Sequence, residues 1–369
     1  MRIIKTFAKY VAGKISCLAI IRVKEDYVRA RKNLEEYQKR PEGTCITTNG
    51  KEVGYDLQII IPCYNAEKYI GQCIKSVITQ ESPYKVLVSV VNDGSIDKTA
   101  KILDDILKQN SSKIDIEVIS QENRGFSGAR NTALKKLRGR YICFLDSDDI
   151  LPKDSIKILL DNAYNMQVDI LQGSWYTFNE NCDVLKKHII SEVGILSDNE
   201  NSFSGYPWAK LYKNNTLEKF KFPENFWFED TPISFILAAL PYRFGTIEDI
   251  VYGYRINPNG ITANANKSRK SVDTYWITEE CLREFKSFGV PYNQRAYEYF
   301  LRQCITNWKR TRQQPVKIRK SIFVLEIELI KIYFKGFSTK NYKMKNIEAT
   351  LHKGQFLKFE LLLLSDSNY

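Results

Sequence analysis

Three short polar clusters, each directly after an apolar run, contain side chains of the types that bind nucleotides and divalent cations. They read PCYN at positions 62–65, NDGS at 92–95 and DSDD at 146–149. Asn, Asp, Gly and Ser are common in solvated turns, so any one cluster alone is consistent with a turn. Ligands bind at the carboxyl ends of parallel strands, so three such clusters at one edge of a sheet would form a binding site.

The third cluster has the composition of a site for a diphosphate and a metal ion. Carboxylates repel phosphate groups unless a divalent cation lies between them. Mg²⁺ and Mn²⁺ bind one or two protein carboxylates and complete their coordination with phosphate oxygens and water. Such a cation would stabilise, as a Lewis acid, the negative charge that develops on a departing diphosphate. Asp146 and Asp148 are therefore candidates for this chemistry.

The elements that must position these clusters form an alternating α/β pattern. Residues 57–61 are a near-continuous apolar run, which is typical of a strand buried on both faces. Further strands are predicted at 86–91, 114–119 and 141–145, and helices are predicted at 66–80, from 95 or 97 to 107, and at 127–137. The short connections predict a doubly wound, mostly parallel sheet with all three clusters at carboxyl ends of strands.

Four segments together resemble the GT-A domain of family 2 glycosyltransferases over about residues 57–262. They are IIIPxYN at 59–65, VVNDGSxD at 90–97, NxGxxxARN at 123–131 and FLDSDD at 144–149. Their order and spacing match the family throughout, so the series is far more specific than a single D-x-D. The resemblance implies a Rossmann-like GT-A fold and inverting transfer of a sugar from a nucleotide donor, normally UDP-linked.

For the base of the nucleotide, the resemblance implies a site formed by the first two clusters. Pro62, Tyr64 and Asp93 would hold the base, normally uracil, and Asp93 would accept a hydrogen bond from its N3–H. Asn65 belongs to the same nucleotide-binding set.

For the diphosphate, the resemblance implies a site formed by the last two segments. Arg130, or Arg124 nearby, would lie near the ribose or the diphosphate. Asp146 would contact the nucleotide, and Asp148 would bind a divalent cation, Mn²⁺ or Mg²⁺.

Many GT-A enzymes use a downstream histidine as a further metal ligand, and here this chain departs from the pattern. It has two histidines, His188 and His352, and neither lies at the matching position. His188 follows two lysines, which predicts an exposed loop. We therefore expect Asp148 to be nearly the sole protein ligand, with phosphate and water completing the coordination.

On the acceptor side, Glu229-Asp230 resembles the E-D pair of the family. Inversion requires a base that takes the proton of the acceptor hydroxyl, and a carboxylate in a partly desolvated cleft suits this role. Asp230 is the candidate base, with Glu229 in an acceptor or orienting role. The alternative is that the pair merely caps a helix that begins at residues 231–232, where acidic residues are favoured.

Two further segments resemble family patterns. In PWAKLY at 207–212, Trp208 and Lys210 are candidates for acceptor binding, although Trp208 is equally consistent with a core residue. A segment around residues 254–262 resembles a loop that closes over the diphosphate, with Arg255 and Thr262 as candidate nucleotide ligands. Gly260 stands where serine is more usual, so one potential phosphate donor is missing.

With 369 residues, the chain is long enough for two or three structural units. We expect a basic helical extension at 1–55, a GT-A catalytic domain at 56–265, and a basic region at 266–369 with helices at 271–288, 292–312 and 316–334. Within the catalytic domain, 56–150 would be the nucleotide-binding half and 151–265 the acceptor half. The 8 cysteines show no C-x-x-C spacing, which is typical of reduced thiols in the cytosol. No apolar run approaches the ~20 residues of a membrane span.

Other classes of protein fit the sequence less well. Neither G-x-G-x-x-G after the first strand nor a P-loop motif is present, so a dehydrogenase and a P-loop enzyme are unsupported. The formal net charge of +12 favours anionic partners. The acidic clusters would repel nucleic acid, so we expect none as a partner. The basic C-terminal segment indicates either peripheral contact with anionic lipid or a solvated helical face.

These observations predict a cytoplasmic enzyme, peripheral at the inner face of the plasma membrane. It would use a nucleotide sugar and a glycan or lipid-linked glycan acceptor in bacterial cell-surface polysaccharide synthesis. The terminal helices are also candidates for pairing chains into a homo-oligomer. The alternative is a catalytically silent GT-A domain that binds nucleotide or glycan, and the joint presence of Asp93, Asp148 and Asp230 argues against it.

Overall fold

The computed structural model describes residues 26–196, 203–257 and 265–365, so Thr262 lies outside the described residues. These residues divide into two compact units. The sheet unit comprises the described residues of 42–257 together with 287–289. The helical unit comprises 26–41, 265–286 and 290–365. The boundary predicted between residues 55 and 56 falls inside the first strand of the sheet unit.

The first half of the sheet unit alternates strands and helices, as the sequence predicts. Its elements are β1 (Gly50–Cys63), α2 (Ile70–Ile78), β2 (Val86–Asp93), α3 (Thr99–Gln109), β3 (Asp115–Gln121), α4 (Gly125–Leu134) and β4 (Lys136–Phe144), where α1 (Tyr27–Tyr37) precedes them in the helical unit. Val86–Asp93 is buried along its whole length, as is Leu57–Cys63 at the end of β1. These runs are buried because helices cover both faces of the parallel sheet.

The second half of the sheet unit adds shorter and more irregular elements. They are α5 (Ser155–Met166), β5 (Ile170–Phe178), β6 (Val184–His188), β7 (Gly194–Ile195), β8 (Lys210–Lys213), α6 (Thr231–Phe235) and β9 (Phe244–Arg255). His188 is the last residue of β6 and is half-buried, so the prediction that it lies in an exposed loop is wrong. Its pairing with Trp175 of β5 explains the difference, since the sequence around residue 188 carries no sign of this long-range partner.

The nine strands of the described residues form one sheet in the order β3-β2-β1-β4-β8-β5-β9-β7, with β6 paired to β5. β1 to β4 are mutually parallel. β8 is antiparallel to both β4 and β5, and β5 is parallel to β9. Six strands therefore point the same way and end at one edge of the sheet, called here the carboxyl edge. The predicted doubly wound, mostly parallel sheet is confirmed.

The two strand boundaries that lie furthest from the prediction have the same cause. β1 begins at Gly50 rather than at residue 57, and β4 begins at Lys136, within the helix predicted at 127–137. The added parts pair with each other, Gly50 with Lys136 and Lys51 with Leu137. These residues are largely polar, and their pairing spans more than 80 positions, so local apolar periodicity does not reveal it.

The helical unit contains α1, α7 (Asp273–Phe288), α8 (Gln294–Thr311), α9 (Val316–Tyr333), α10 (Lys345–His352) and α11 (Phe356–Ser365). The first turn of α1 is capped by Asp26, whose Oδ1 accepts from Arg29 N at 2.8 Å. Arg31 of α1 donates through both terminal nitrogens to Glu279 of α7, at 2.7 and 3.2 Å. In the described part of the chain, no helix combines the length and apolar composition that crossing a bilayer requires.

Candidate functional site

Asp93 ends β2 at the carboxyl edge and presents one carboxylate oxygen that the protein does not bind. Its Oδ1 accepts from Gln121 Nε2 at 2.6 Å and from Arg124 N at 2.9 Å. Its Oδ2 is buried and has no hydrogen-bond partner among the described residues. Leaving a buried charged acceptor unsatisfied is costly. The carboxylate is therefore oriented by two protein donors on Oδ1, and Oδ2 is left without one among the described residues.

The chain turns away from β2 at Gly94, whose φ of +73° is in the left-handed region that glycine favours. A Cβ at this position would meet Asn123 N at 3.0 Å. Asn92 supports the turn, because its Oδ1 accepts from Ser95 N at 3.1 Å. The glycine therefore lets the 92–95 loop pass close to the segment that carries Arg124.

The loop after β1 is bonded to the loop after β2. Asn65 N donates to Ser95 Oγ at 3.0 Å, and Asn65 Oδ1 accepts from Ile96 N at 2.9 Å. Asn65 thus acts first as a link between two loops of the predicted nucleotide site. Pro62 is buried at the end of β1, whereas Tyr64 is 49% exposed, as expected for a ring that a ligand can cover.

Residues of β9 hold the acidic cluster after β4 in place through hydrogen bonds. Asp149 is buried; its Oδ2 accepts from Tyr252 OH at 2.6 Å and its Oδ1 accepts from Arg255 N at 2.7 Å. The Tyr252 hydroxyl in turn accepts from Asp146 N at 3.2 Å. Sequence reasoning assigned no role to Asp149 or Tyr252, yet together they fix the backbone that carries Asp146 and Asp148.

Asp148 is half-buried, and burial together with the neighbouring Asp146 raises the pKa of its carboxyl to about 6. Arg255 opposes this shift. A group that is costly to ionise in this position would be stabilised as a carboxylate by a bound cation. In the described residues no group of three or more His, Cys, Asp or Glu could hold a metal ion by itself. The donor set fits a hard cation that takes one protein carboxylate and completes its coordination with phosphate and water.

Arg255 ends β9 and is held at several points. Its Nε donates to Asp148 O at 2.7 Å and its Nη2 donates to Gln72 Oε1 at 2.6 Å. The guanidinium lies over the rings of Phe178 and Tyr69, at 4.4 and 4.8 Å from their centroids. The side chain is therefore preorganised beside Asp148, where a nucleotide diphosphate would need a cation.

Arg130 connects the two sides of the site. This buried guanidinium donates to Asp146 Oδ1 through Nη2 and to Glu229 Oε1 through Nη1, both at 2.7 Å. Arg124, the alternative candidate, instead pairs with Glu224 at 2.7 Å and is 42% exposed. Of the two arginines, Arg130 is the one in contact with the acidic cluster and with the predicted acceptor pair.

Burial raises the pKa of Glu229 to about 7, even though Arg130 opposes the shift; the adjacent Asp230 adds to it. Asp230 immediately precedes α6, but its side chain makes no capping hydrogen bond to that helix. The capping alternative therefore does not account for Asp230. The two adjacent carboxyl groups differ, since Glu229 is paired with an arginine and Asp230 lies at the start of a five-residue helix.

Lys210 and Trp208 lie inside the sheet unit. The Lys210 ammonium is buried and donates to Ser204 Oγ at 2.7 Å and to Tyr206 O at 2.6 Å. Burial holds its pKa well below the usual range, although the charge of Asp230 opposes this. Trp208 is 5% exposed and stacks on Tyr206 and Tyr252, at 4.5 and 4.7 Å between ring centroids. The geometry of Trp208 is that of a core residue behind the more exposed Tyr206.

Residues 58–237 match the family model described as Glycosyl transferase family 2. Glycosyltransferase GlyA of Streptococcus pneumoniae is 31% identical over 222 residues, which is 56% of this chain and 31% of the relative. The uncharacterized glycosyltransferase EpsJ of Bacillus subtilis is 32% identical over 220 residues, 56% of this chain and 62% of the relative. The chain thus spans less than two thirds of either relative. Further matched relatives from B. subtilis are named for minor teichoic acid biosynthesis.

Among solved structures, the crystal structure of S. aureus TarS residues 1–349 in complex with UDP-GlcNAc is similar in fold. Its TM-score is 0.64 at 20% sequence identity, and the similarity covers 84% of this chain and 91% of the TarS chain. Together with the strand-end motifs, these likenesses agree on one assignment. Over residues 58–237 the chain is similar to glycosyltransferase family 2, and its sheet unit has the GT-A fold.

Proposed function

We propose that this chain transfers a sugar, with inversion, from a UDP-linked donor to a hydroxyl of a glycan or lipid-linked glycan in bacterial cell-surface polysaccharide synthesis. The observation that carries the donor class is the buried Oδ2 of Asp93, which has no protein donor among the described residues. Uracil presents an N3–H to such an acceptor, whereas cytosine has no proton on N3. The proposal therefore includes a preference for UDP over CDP.

In the proposed reaction, Asp230 removes the proton of the acceptor hydroxyl as its oxygen attacks the anomeric carbon of the sugar. Glu229 and Arg130 orient the acceptor side, because Arg130 ties Glu229 to the loop that carries the diphosphate ligands. Arg255, held beside Asp148, contributes positive charge near the diphosphate. Tyr64 and Pro62 contribute the surface on which the base lies.

Asp148 is the residue that we propose holds a divalent cation, Mn²⁺ or Mg²⁺. Such an ion would neutralise charge on the diphosphate leaving group. The partial burial of Asp148 suits binding that depends on the nucleotide, as does the pairing of Asp146 with Arg130. We expect weak affinity for the metal alone.

We further propose a peripheral position at the inner face of the plasma membrane. The basic residues of α8 and α9 would contact anionic lipid, each adding ~1 kcal/mol near the surface. Leu357 and Leu364 of α11 are 45% and 67% exposed and would contribute apolar contact. Pairing of chains through the terminal helices remains part of the proposal.

The experiment is a donor assay on the purified chain. UDP-glucose, UDP-galactose, UDP-N-acetylglucosamine and the corresponding CDP and GDP sugars are supplied with Mn²⁺, and release of the nucleotide is measured with and without EDTA. The proposal predicts metal-dependent release from at least one UDP-sugar and less from CDP-sugars. Binding of UDP-sugars without any release, in the presence of glycan acceptors, would favour the alternative of a silent binding domain.

A further inference from the structure

A cavity of about 370 Å³ lies in the sheet unit next to β6, and none of its described lining residues belongs to the acidic cluster. Small-molecule sites typically occupy ~300–1,000 Å³. Three rings contribute apolar surface to its lining, those of Trp175, His188 and Phe203. Polar groups of Gln172, Ser191, Glu192 and Ser204 lie among them. Aromatic walls with a few polar groups are the composition of a site that recognises a ligand with both apolar faces and hydroxyl edges.

The rings of the lining are fixed by their neighbours. His188 is stacked on Trp175, with centroids 5.0 Å apart and planes at 6°. Trp175 also meets Trp208 edge to face at 5.6 Å. Gln172 is buried, and its Oε1 accepts from Ser204 N at 2.9 Å. Trp175, His188, Gln172 and Ser204 are therefore held by their neighbours, whereas Ile189, Ser191 and Glu192 form an exposed rim.

The lining favours an uncharged, hydroxylated ligand. Among the described residues that line the cavity there is one carboxylate, Glu192, and neither lysine nor arginine. Burial and the nearby Lys186 lower the pKa of His188, which keeps its ring neutral near pH 7. The described lining offers neither lysine nor arginine to phosphate or a nucleotide, whereas sugar hydroxyl groups can donate to the Glu192 carboxylate and accept from the Ser191 hydroxyl.

The cavity is connected to the acceptor side of the candidate site. Ser204 of the lining accepts from the buried Lys210 Nζ at 2.7 Å, and Lys210 in turn interacts electrostatically with Asp230. Trp175 belongs to β5, which ends at the carboxyl edge like the strands that carry the donor site. A ligand in the cavity would thus lie on the same side of the sheet unit as the proposed base.

We propose that this cavity is a subsite for one pyranose unit of the glycan acceptor, set back from the hydroxyl that reacts. That the bound sugar belongs to the acceptor rests on the proposed function, whereas the binding of a neutral sugar rests on the side chains that line the cavity. A pyranose offers C–H groups to the rings of His188 and Phe203 and hydroxyl groups to the polar residues between them. The subsite would lengthen the stretch of glycan that the enzyme reads.

The test uses methyl β-glycosides of glucose, galactose and N-acetylglucosamine as probes in saturation-transfer NMR with the full chain. Ser191→Trp would fill the cavity from its exposed rim, and His188→Ala would remove one wall. Lys187→Trp is the matched control, because residue 187 is on the same strand and outside the lining. Hydrolysis of UDP-sugars without acceptor is measured on each variant in parallel.

We expect saturation transfer to at least one glycoside, at least fivefold weaker in Ser191→Trp and His188→Ala, and unchanged in Lys187→Trp and in Asp93→Asn. Donor hydrolysis should be equal in the two cavity variants, in the Lys187→Trp control and in the wild type. Absence of binding by all three probes, or binding insensitive to both cavity variants, would overturn the proposal. Variant-sensitive glycoside binding in a protein that releases no nucleotide even with glycan acceptors would support the sugar site and contradict the proposed function.

Discussion

In the half of the sheet unit formed by residues 56–150, the acidic site residues stand at the ends of strands. Asp93 is the last residue of β2, and Asp148 lies in the loop after β4. In the half formed by the described residues of 151–257, two cationic site residues lie on strands, Lys210 at the start of β8 and Arg255 at the end of β9. Asp93, Lys210 and Arg255 are each 3% exposed or less, so the two halves differ in the charge and bonding of these side chains and not in their burial.

The two halves therefore position charged side chains in two different ways. Asp93 keeps one carboxylate oxygen, Oδ2, without a hydrogen-bond partner among the described residues. The buried cations are already satisfied by protein oxygens, as with Lys210 and its three acceptors. We infer that the first half binds the donor directly, whereas the buried groups of the second half mainly hold the site in shape.

Of the variants that test this comparison, the Asp148 variant should show the largest effect, a loss of turnover. Asp148→Ala removes the proposed metal ligand, and we expect no detectable turnover, because loss of Lewis-acid stabilisation of several kcal/mol corresponds to a rate loss of about a thousandfold or more. Release of UDP from the donor sugar is the measurement. Asp105→Ala, an exposed carboxylate on α3, is the control. Retained turnover in Asp148→Ala would contradict the metal assignment.

Asp230→Asn should have the next largest effect on turnover. The amide keeps the shape of the carboxylate but cannot take a proton, so kcat for transfer should fall by about 10²–10⁴-fold. Affinity for UDP should stay within about twofold of wild type, since Asp230 does not contribute to the donor pocket in this account. Glu248→Gln, an exposed carboxylate on β9, is the matched control. Equal loss of UDP affinity and of kcat would assign Asp230 to the donor side instead.

The two arginines of the 123–131 segment differ in burial, and this difference can be measured through the free energy of unfolding of their variants. Arg130 is buried between Asp146 and Glu229, so Arg130→Met should lower the free energy of unfolding by about 3–5 kcal/mol. Arg124 forms a half-exposed pair with Glu224, so Arg124→Met should cost no more than ~1 kcal/mol. Denaturant unfolding of both variants is the measurement. Similar losses for the two variants would show that burial does not separate them.

A smaller, pH-dependent effect is expected in the helical unit. Glu326 of α9 is buried, where its Oε1 accepts from Asn307 Nδ2 at 2.9 Å, and burial raises the pKa of its carboxyl from 4.5 to about 8. Its contribution to stability is present in full below pH 4.5 and is lost as the pH rises towards and through 8. Glu326→Gln cannot ionise and should flatten this decline in the unfolding midpoint between pH 5 and 8.5. Glu36→Gln, at an exposed position of α1, should leave the decline as it is in the wild type. An unchanged decline in Glu326→Gln would refute the raised pKa of Glu326.

The parts of the fold and site that local sequence predicts are those with a local cause. The strands at 57–61 and 86–91 are apolar runs, and Asp93 and Asp148 follow strand ends, so the residue pattern alone locates both. Asp149 is fixed by Tyr252, 103 residues away, and Arg130 contacts Glu229, 99 residues away. Such pairs depend on how distant strands come together, and neither residue type nor spacing reveals them. The residues that line the cavity next to β6 escaped prediction for the same reason.

The most direct test of the central claim is calorimetric titration of the chain with UDP, with and without Mn²⁺, and with CDP and GDP for comparison. The account predicts Mn²⁺-dependent binding of UDP, weaker binding of CDP, and UDP binding about 10–100-fold weaker in Asp93→Asn, since a hydrogen bond to a charged group contributes ~1.5–3 kcal/mol. Asp148→Ala should lose the Mn²⁺ dependence. Binding of UDP and CDP with equal affinity, unaffected by Asp93→Asn, or no binding of any nucleotide, would contradict the account.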